Sequence, residues 1–325
     1  MAAGGSPLVS VEGANNFRSP AIVQVMALAA RVAGTDATVL LLGDTGAGKD
    51  WLAGWIHTNS RRARGPFVAV NCAAIPHDLA ESQLFGHERG AFSGATCTHQ
   101  GLFEQARGGT LFLNEVGELA PALQAKFLSF LDTRCFRRLG GEAAIPADVR
   151  ILAATNRDPA GELGQNGFRA DLFYRLQGIT MTLPPLRERR EDLPVLVEIL
   201  LDRLARELHL EARPGVDGRA LRALQARRWP GNIRELENVL RAGLVASSTG
   251  VIRCRDLPCE QAGEEWKLLV PFQDGRNLHE VLGDVAGRLI AEALRRSGTI
   301  AEAARLLGIT RDSLVYRMRK NGNRV

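Results

Sequence analysis

The chain has 325 residues, too many for one small core and enough for two or three domains. Its 45% apolar and 24% charged content is that of an ordinary soluble globular protein, with no low-complexity tract and no internal repeat. Forty-one basic against 36 acidic residues give a net charge of +5, too mild by itself to announce an anionic partner. The five cysteines, Cys72, Cys97, Cys135, Cys254 and Cys259, lack the paired spacing of a zinc ribbon or redox motif and read as plain thiols of a reducing compartment. Met1–Ser10 has neither a basic start nor an apolar centre, and nothing approaches the roughly 20 apolar residues of a membrane span. The expected location is the cytoplasm, with no membrane partner.

In chain order, residues 1–16 read as loosely ordered, and Ala21–Ala33 as a helix with Ile22, Val25, Met26, Ala29 and Ala30 on one face. Five short apolar runs follow, separated by helical stretches: Val39–Leu42, Phe67–Val70, Leu111–Leu113, Val149–Ala154 and Ile179–Leu183. Continuous apolar strands between helices predict an α/β fold whose parallel sheet is covered on both faces. Ligands bind such sheets at the C-terminal ends of the strands, so the residues just after each run carry the functional reading. Beyond Pro184-Pro185 the pattern becomes all-helical from Asp192 to about Ala246, including Leu193–Leu208 and Arg234–Ala246. The domain layout expected is a flexible terminus at 1–16, an α/β subdomain at 17–184 and a helical lid at 185–246. A linker at 247–276 and a helical C-terminal domain at 277–325 complete it.

Directly after the first run stands Gly43-Asp44-Thr45-Gly46-Ala47-Gly48-Lys49-Asp50, the strand–GxxxxGK–helix arrangement of a phosphate-binding loop. Its glycines let backbone N–H groups surround phosphate oxygens, the following helix adds the positive end of its dipole, and Lys49 adds a point charge. The hydroxyl residue that usually follows the lysine is replaced by Asp50, which cannot serve Mg²⁺ in the ordinary way. The third run ends in Asn114-Glu115. Two acids usually close this strand, one organising Mg²⁺ and one polarising the attacking water. Glu115 is placed for the water; Asn114 could only orient a metal-bound water through its amide oxygen, without charge. The cofactors expected are ATP and Mg²⁺.

Several further segments, in order, resemble the AAA+ module of sigma-54-dependent activators, the bacterial enhancer-binding proteins. Glu81–Ala95 contains Gly90-Ala91-Phe92-Ser93-Gly94-Ala95, similar to the GAFTGA loop of that family. Phe168–Leu176 resembles its arginine-finger segment, and Leu183–Arg189 and Trp229–Leu236 also match; an acid after the loop lysine is itself the family's variant. The resemblance implies that Gly90–Ala95 contacts the sigma factor and that Asn71 holds Glu115 until the ring is ready. It implies that Asn156 senses the γ-phosphate, that Arg234 reaches the nucleotide from the lid, and that Arg169 and Arg175 serve a neighbour's ATP in trans. Trans arginines need head-to-tail contacts, which close into rings, and a hexamer is the family expectation.

Thr299–Asn323 reads as helix–turn–helix: Ile300–Leu307, a turn at Gly308-Ile309, and a second helix capped by Thr310. Residues 299–325 carry six basic and two acidic side chains, a net +4, so most of the chain's excess charge lies here. A basic second helix suits a major groove. Arg311, Ser313, Tyr316, Arg317 and Lys320 are the candidate DNA contacts. The segment resembles the family's Fis-type domain, with Leu278–Arg296 as the dimerising helices before it. Only 42 residues precede the phosphate loop, which suits the short subgroup without an N-terminal regulatory domain, controlled by a separate protein in trans. The sequence thus predicts an ATP-dependent activator that binds enhancer DNA and remodels sigma-54 RNA polymerase. The alternative left open by Asn114 is a DNA-binding regulator with weak or absent ATPase, acting alone or in a mixed ring.

Overall fold

The structure, a computed structural model, describes residues 16–156, 168–210 and 212–258, together with 290, 293–294, 297, 299–306, 308–311, 313–314 and 318. The chain divides into two compact units, Met1–Pro258 and Cys259–Val325. In the first, α1 (Pro20–Ala33) leads into β1 (Val39–Leu42), α2 (Lys49–Thr58), β2 (Phe67–Asn71), α3 (His77–Phe85), α4 (Leu102–Gln105) and β3 (Thr110–Asn114). There follow α5 (Pro121–Thr133), a hairpin of β4 (Cys135–Phe136) and β5 (Ile145–Pro146), β6 (Arg150–Thr155), α6 (Ala170–Leu176) and β7 (Ile179–Thr182). The first two long helices gain their start from local chemistry: Pro20 sits in the first turn of α1, and Gly48, with φ of 105°, precedes α2.

Five strands form one parallel sheet in the order β2-β3-β6-β1-β7. The period-2 geometry of a strand divides each apolar run between two cores. Val39, Leu41, Phe112, Leu152 and Ala154 face α1 and α2, whereas Leu40, Leu111, Leu113, Ile151 and Ala153 face α3, α5 and α6. Burial on both sides is why these runs read as unbroken apolar stretches. The expected α/β class, with a parallel sheet and a helical lid, is what the structure has.

The lid consists of α7 (Leu193–Glu207), α8 (Gly218–Ala226) and α9 (Asn232–Ala246). Its residues Leu193, Leu196, Leu200, Trp229, Leu236 and Leu240 continue the core that covers one face of the sheet. Two features differ from the sequence reading. The lid is not purely helical, because β8 (Gly215–Val216) pairs in parallel with β9 (Val251–Ile252). The stretch expected as a linker from residue 247 therefore begins inside the lid: Ile252 and Leu257 are buried, and the carbonyl of Pro258 accepts from Arg227 Nη2 at 2.6 Å. Ile252 lies so close over Gly243 that a Cβ there would meet its Cγ2 at 2.9 Å. Two-residue strands carry no periodicity, so only this contact reveals them.

In the second unit, α10 (Ile300–Leu306) begins at Thr299, whose Oγ1 accepts from Glu302 N at 3.3 Å, and ends at Gly308 with φ of 64°. Thr310 caps the next helical segment, its Oγ1 accepting from Ser313 N at 3.3 Å. Ile290, Ala293, Ala303, Ala304, Leu314 and Met318 form a small core of this unit. Tyr316, Arg317 and Lys320, and most of the segment Leu278–Arg296, lie outside the described residues. Among the described residues no helix is long and apolar enough to cross a membrane, and Cys72, Cys97, Cys135 and Cys254 are free thiols.

Candidate functional site

Strand register decides what meets at the sheet's C-terminal edge. Leu42 is level with Thr155, and Asn71 with Asn114, so the segments that follow β1, β2, β3 and β6 leave the sheet side by side. The loop after β1 turns through Gly43, Gly46 and Gly48, all at positive φ. Two of these cannot carry a side chain for a second reason: a Cβ on Gly43 would meet Leu183 O at 2.8 Å, and one on Gly46 would meet Gly231 O at 2.5 Å. Lys49 lies beneath the loop, 4% exposed, donating to Gly43 O at 2.7 Å and Asp44 O at 3.4 Å. Burial lowers the Lys49 ammonium's pKa, against the opposing pull of Glu115, Asp50 and Asp44. An ammonium short of solvation, under a loop of backbone N–H groups, gains by meeting phosphate oxygens.

Glu115 follows β3 in the left-handed region, φ 54° and ψ 51°, a conformation costing a non-glycine residue roughly 1 kcal/mol or more. That turn brings its carboxylate to 3.8 Å from Lys49 Nζ, while Oε2 accepts from Asn156 N at 3.1 Å. Asn156 also donates from Nδ2 to Thr45 Oγ1 at 3.0 Å. Asn114 turns its Nδ2 to Asp50 Oδ1 at 2.9 Å, and its own amide oxygen accepts from Glu115 N at 3.0 Å. Glu115, Asn114, Asp50, Lys49, Asn156 and the loop thus form one connected group. Asn71 departs from its expected contact. Its amide oxygen accepts from Ala73 N at 3.1 Å and caps the turn after β2, rather than holding Glu115. A short Asx side chain at a strand end finds the local backbone donor first.

Carboxylate oxygens on Asp50 and Glu115 suit a hard divalent cation, whereas Asn114 turns its nitrogen, not its oxygen, towards Asp50. Among the described residues no group of three or more His, Cys, Asp or Glu could hold a metal ion.

The lid closes the other side of the loop, and here the structure adds residues that motif reading passed over. Asn232, fully buried at φ 54°, accepts from Leu186 N at 2.8 Å and donates to Thr45 O at 3.0 Å. Ile233 N donates to Gly46 O at 3.0 Å, so the start of α9 is bonded directly to the loop backbone. The guanidinium of Arg189, buried with a pKa pushed down to about 10, donates to Ala47 O. Arg187 pairs with Asp44 at 3.0 Å. Beside them is a cavity of about 340 Å³ lined by Phe17, Gly46, Trp51, Leu200, Arg189 and Arg234. Arg234 lines this pocket, which loop and lid share. Asn232 and Arg189 lie in the segments Trp229–Leu236 and Leu183–Arg189, which the sequence marked without giving these residues a role; nothing local marks Phe17.

The remaining candidates lie elsewhere. Gly90 and Gly94, at φ 85° and 112°, bracket a loop in which Phe92 is 40% exposed, its ring edge-on to His87 at 5.0 Å. The loop is anchored rather than loose. Gly90 N donates to Ala95 O at 2.8 Å, and Arg138 joins Glu88 at 2.8 Å to Glu104 at 2.6 Å behind it. Ala91 packs against Gly140, where a Cβ would approach it to 2.9 Å. Ser93 and Ala95 complete the turn, Ala95 N donating to Phe92 O at 3.0 Å. Arg169 pairs with Asp171 at 2.7 Å and Arg175 with Asp132 at 3.0 Å, both on the surface. In the second unit Arg311 is exposed and Ser313 half-buried.

Residues 16–182 match the Sigma-54 interaction domain, 187–267 the AAA+ ATPase lid domain, and 282–320 the Bacterial regulatory protein, Fis family. The regulatory protein AtoC of Escherichia coli K12 is 45% identical over 311 residues, covering 94% of this chain and 67% of that protein. The Nif-specific regulatory protein of Azotobacter vinelandii is 45% identical over 304 residues, covering 92% of this chain and 57% of that protein. The crystal structure of NtrX from Brucella abortus superimposes with a TM-score of 0.71 at 31% identity, over 94% of this chain and 69% of that one; NtrX has also been solved in complex with ADP and with ATP. The chain spans about half to two thirds of the length of the curated relatives it matches. With the sigma-54 interaction domain, the AAA+ lid and the Fis-type helix–turn–helix matched in one order along a parallel-sheet core, the chain belongs to the sigma-54-dependent transcriptional regulators.

Proposed function

We propose that this protein hydrolyses ATP at the Gly43–Asp50 loop and uses the cycle to remodel sigma-54 RNA polymerase through Gly90–Ala95, while its C-terminal unit holds enhancer DNA. The observation that carries the reading is the position of Lys49, buried under the loop and 3.8 Å from Glu115. Loop amides and Lys49 would hold the β- and γ-phosphates, and Arg234 would reach them from the lid. Glu115 would orient and deprotonate the attacking water, with Asn156 fixing the carboxylate and reporting the γ-phosphate through Thr45. Bound Mg²⁺ would supply positive charge to the phosphoryl oxygens; the carboxylates of Asp50 and Glu115 are the groups placed to hold it. Phe92, exposed on an anchored turn, is suited to a partner's apolar pocket. Arg311, Ser313, Tyr316, Arg317 and Lys320 are proposed for DNA. NtrX, solved with ATP and ADP, supports the nucleotide assignment.

The test combines two readouts. Purified protein should turn over ATP, Glu115→Gln should bind ATP but lose turnover by on the order of 10³-fold, and Lys49→Ala should lose binding. Phe92→Ala should keep ATP turnover and lose activation at a sigma-54 promoter. Normal activation by Phe92→Ala would refute the sigma contact. A second reading is supported by one observation, the neutral Asn114 at the strand end. It makes the chain a DNA-binding regulator without useful ATPase, and an absence of turnover in the parent would decide for it.

A further inference from the structure

Three carboxylates surround the phosphate loop, and their partners differ. Asp44 is committed to Arg187 at 3.0 Å. Glu115 faces Lys49 at 3.8 Å and accepts from the backbone of Asn156. Asp50 has a neutral partner, the amide Nδ2 of Asn114 at 2.9 Å on its Oδ1. Asp50 is in the first turn of α2, beside the lysine that underlies the loop. Asn114 is locked in the orientation that points its nitrogen at Asp50, because its oxygen is taken by Glu115 N at 3.0 Å. An amide nitrogen is a donor and cannot ligate a cation, so in this geometry Asn114 cannot stand in for a metal-binding acid.

We propose that Asp50 is the carboxylate that holds the divalent cation of the bound nucleotide, and that Asn114 is a positioning residue that aims it. The inference rests on the nucleotide reading of the loop and assigns the metal charge within it to the start of α2 instead of the end of β3. Asn114 satisfies one oxygen of Asp50 and leaves the other for the cation. With an aspartate at 114, two carboxylate oxygens would stand at the 2.9 Å now spanned by a hydrogen bond, a like-charge contact that a bound cation would relieve. Strand β3 ending in an amide and helix α2 beginning with an acid are thus two halves of one arrangement.

The test uses full-length protein, Mn²⁺ as the probe and a non-hydrolysable ATP analogue. Electron paramagnetic resonance gives the Mn²⁺ affinity of the complex, and fluorescence of a labelled analogue in EDTA gives nucleotide binding without metal. Asp50→Asn should keep analogue binding in EDTA and weaken Mn²⁺ by roughly 10–100-fold. Moving the charge, in Asp50→Asn combined with Asn114→Asp, should recover most of that affinity. Unchanged Mn²⁺ affinity in Asp50→Asn would overturn the proposal. So would an exchange variant as weak as the single one, since the loss would then reflect loop damage rather than a missing carboxylate. Failure of the parent to bind the analogue with or without metal would overturn the nucleotide reading itself.

Discussion

At the scale of the residue, the α/β core's polar interior is as telling as its apolar one. His57 in α2 is buried, with Nδ1 2.9 Å from Thr110 Oγ1 at the start of β3. Burial lowers its pKa, and the nearby Arg150 guanidinium lowers it further, against a hydrogen bond to the Gly65 backbone that raises it. The unfolded chain therefore takes up this proton first as pH falls, and protonation favours unfolding. Stability should be full above about pH 6.5 and decline as the solution is acidified from there towards the lowered folded value. Thermal unfolding of His57→Gln, which removes the titrating ring, should show a shallower decline over that range. Cys72, in contrast, is a residue to leave alone: burial pushes its thiol up to about 12, so alkylating reagents should spare it in the native protein and find the exposed Cys97 and Cys254.

At the scale of the element, the junction between α9 and the phosphate loop joins stability to ligand binding. Asn232 bonds Leu186 N on one side and Thr45 O on the other, from a left-handed backbone that an alanine adopts poorly. Asn232→Ala leaves a buried N–H without its acceptor and should cost roughly 2–4 kcal/mol in denaturant unfolding. Nucleotide affinity should fall with it, since the start of α9 no longer fixes the loop. Unaltered affinity in the destabilised variant would show that the lid and loop are coupled only through the core. Trp229, three residues before Asn232, plays a packing part: it is fully buried and donates from Nε1 to Leu224 O at 2.9 Å.

At the scale of the whole molecule, the two candidate trans arginines face outward and are held by acids of their own subunit, Arg169 by Asp171 and Arg175 by Asp132. Exposed pairs of this kind are worth about 0–1 kcal/mol, so they are readily exchanged for a phosphate on a neighbouring subunit. If a ring forms, specific ATPase activity should rise with protein concentration. Arg169→Ala or Arg175→Ala should then lower kcat by on the order of 10³-fold or more while leaving ATP affinity within a few-fold of the parent. An arginine variant with parental kcat would remove that residue from the trans role. The same variants in a dilute, subunit-separated sample should differ little from the parent, because no neighbour is there to be served.

Much of this protein was written locally. Apolar runs bounded by helices gave the two-faced parallel sheet, because burial on both sides demands continuous hydrophobicity. Gly43–Asp50 and Asn114-Glu115 were recognisable because phosphate binding needs backbone freedom and charge at fixed offsets from a strand. Gly308 and Thr310 marked the C-terminal turn because cap chemistry is confined to a few adjacent residues. What the tertiary structure decided are choices between partners far apart in the chain. Asn71 turned to Ala73 rather than Glu115, β8 found β9 across the 34 residues between them to extend the lid past residue 247, and Asn232 and Arg189 reached the loop from the other subdomain. Above all, the amide of Asn114 presents its nitrogen to Asp50: its bond from Glu115 N is local, but the bond to Asp50 exists only once β3 and α2 lie side by side.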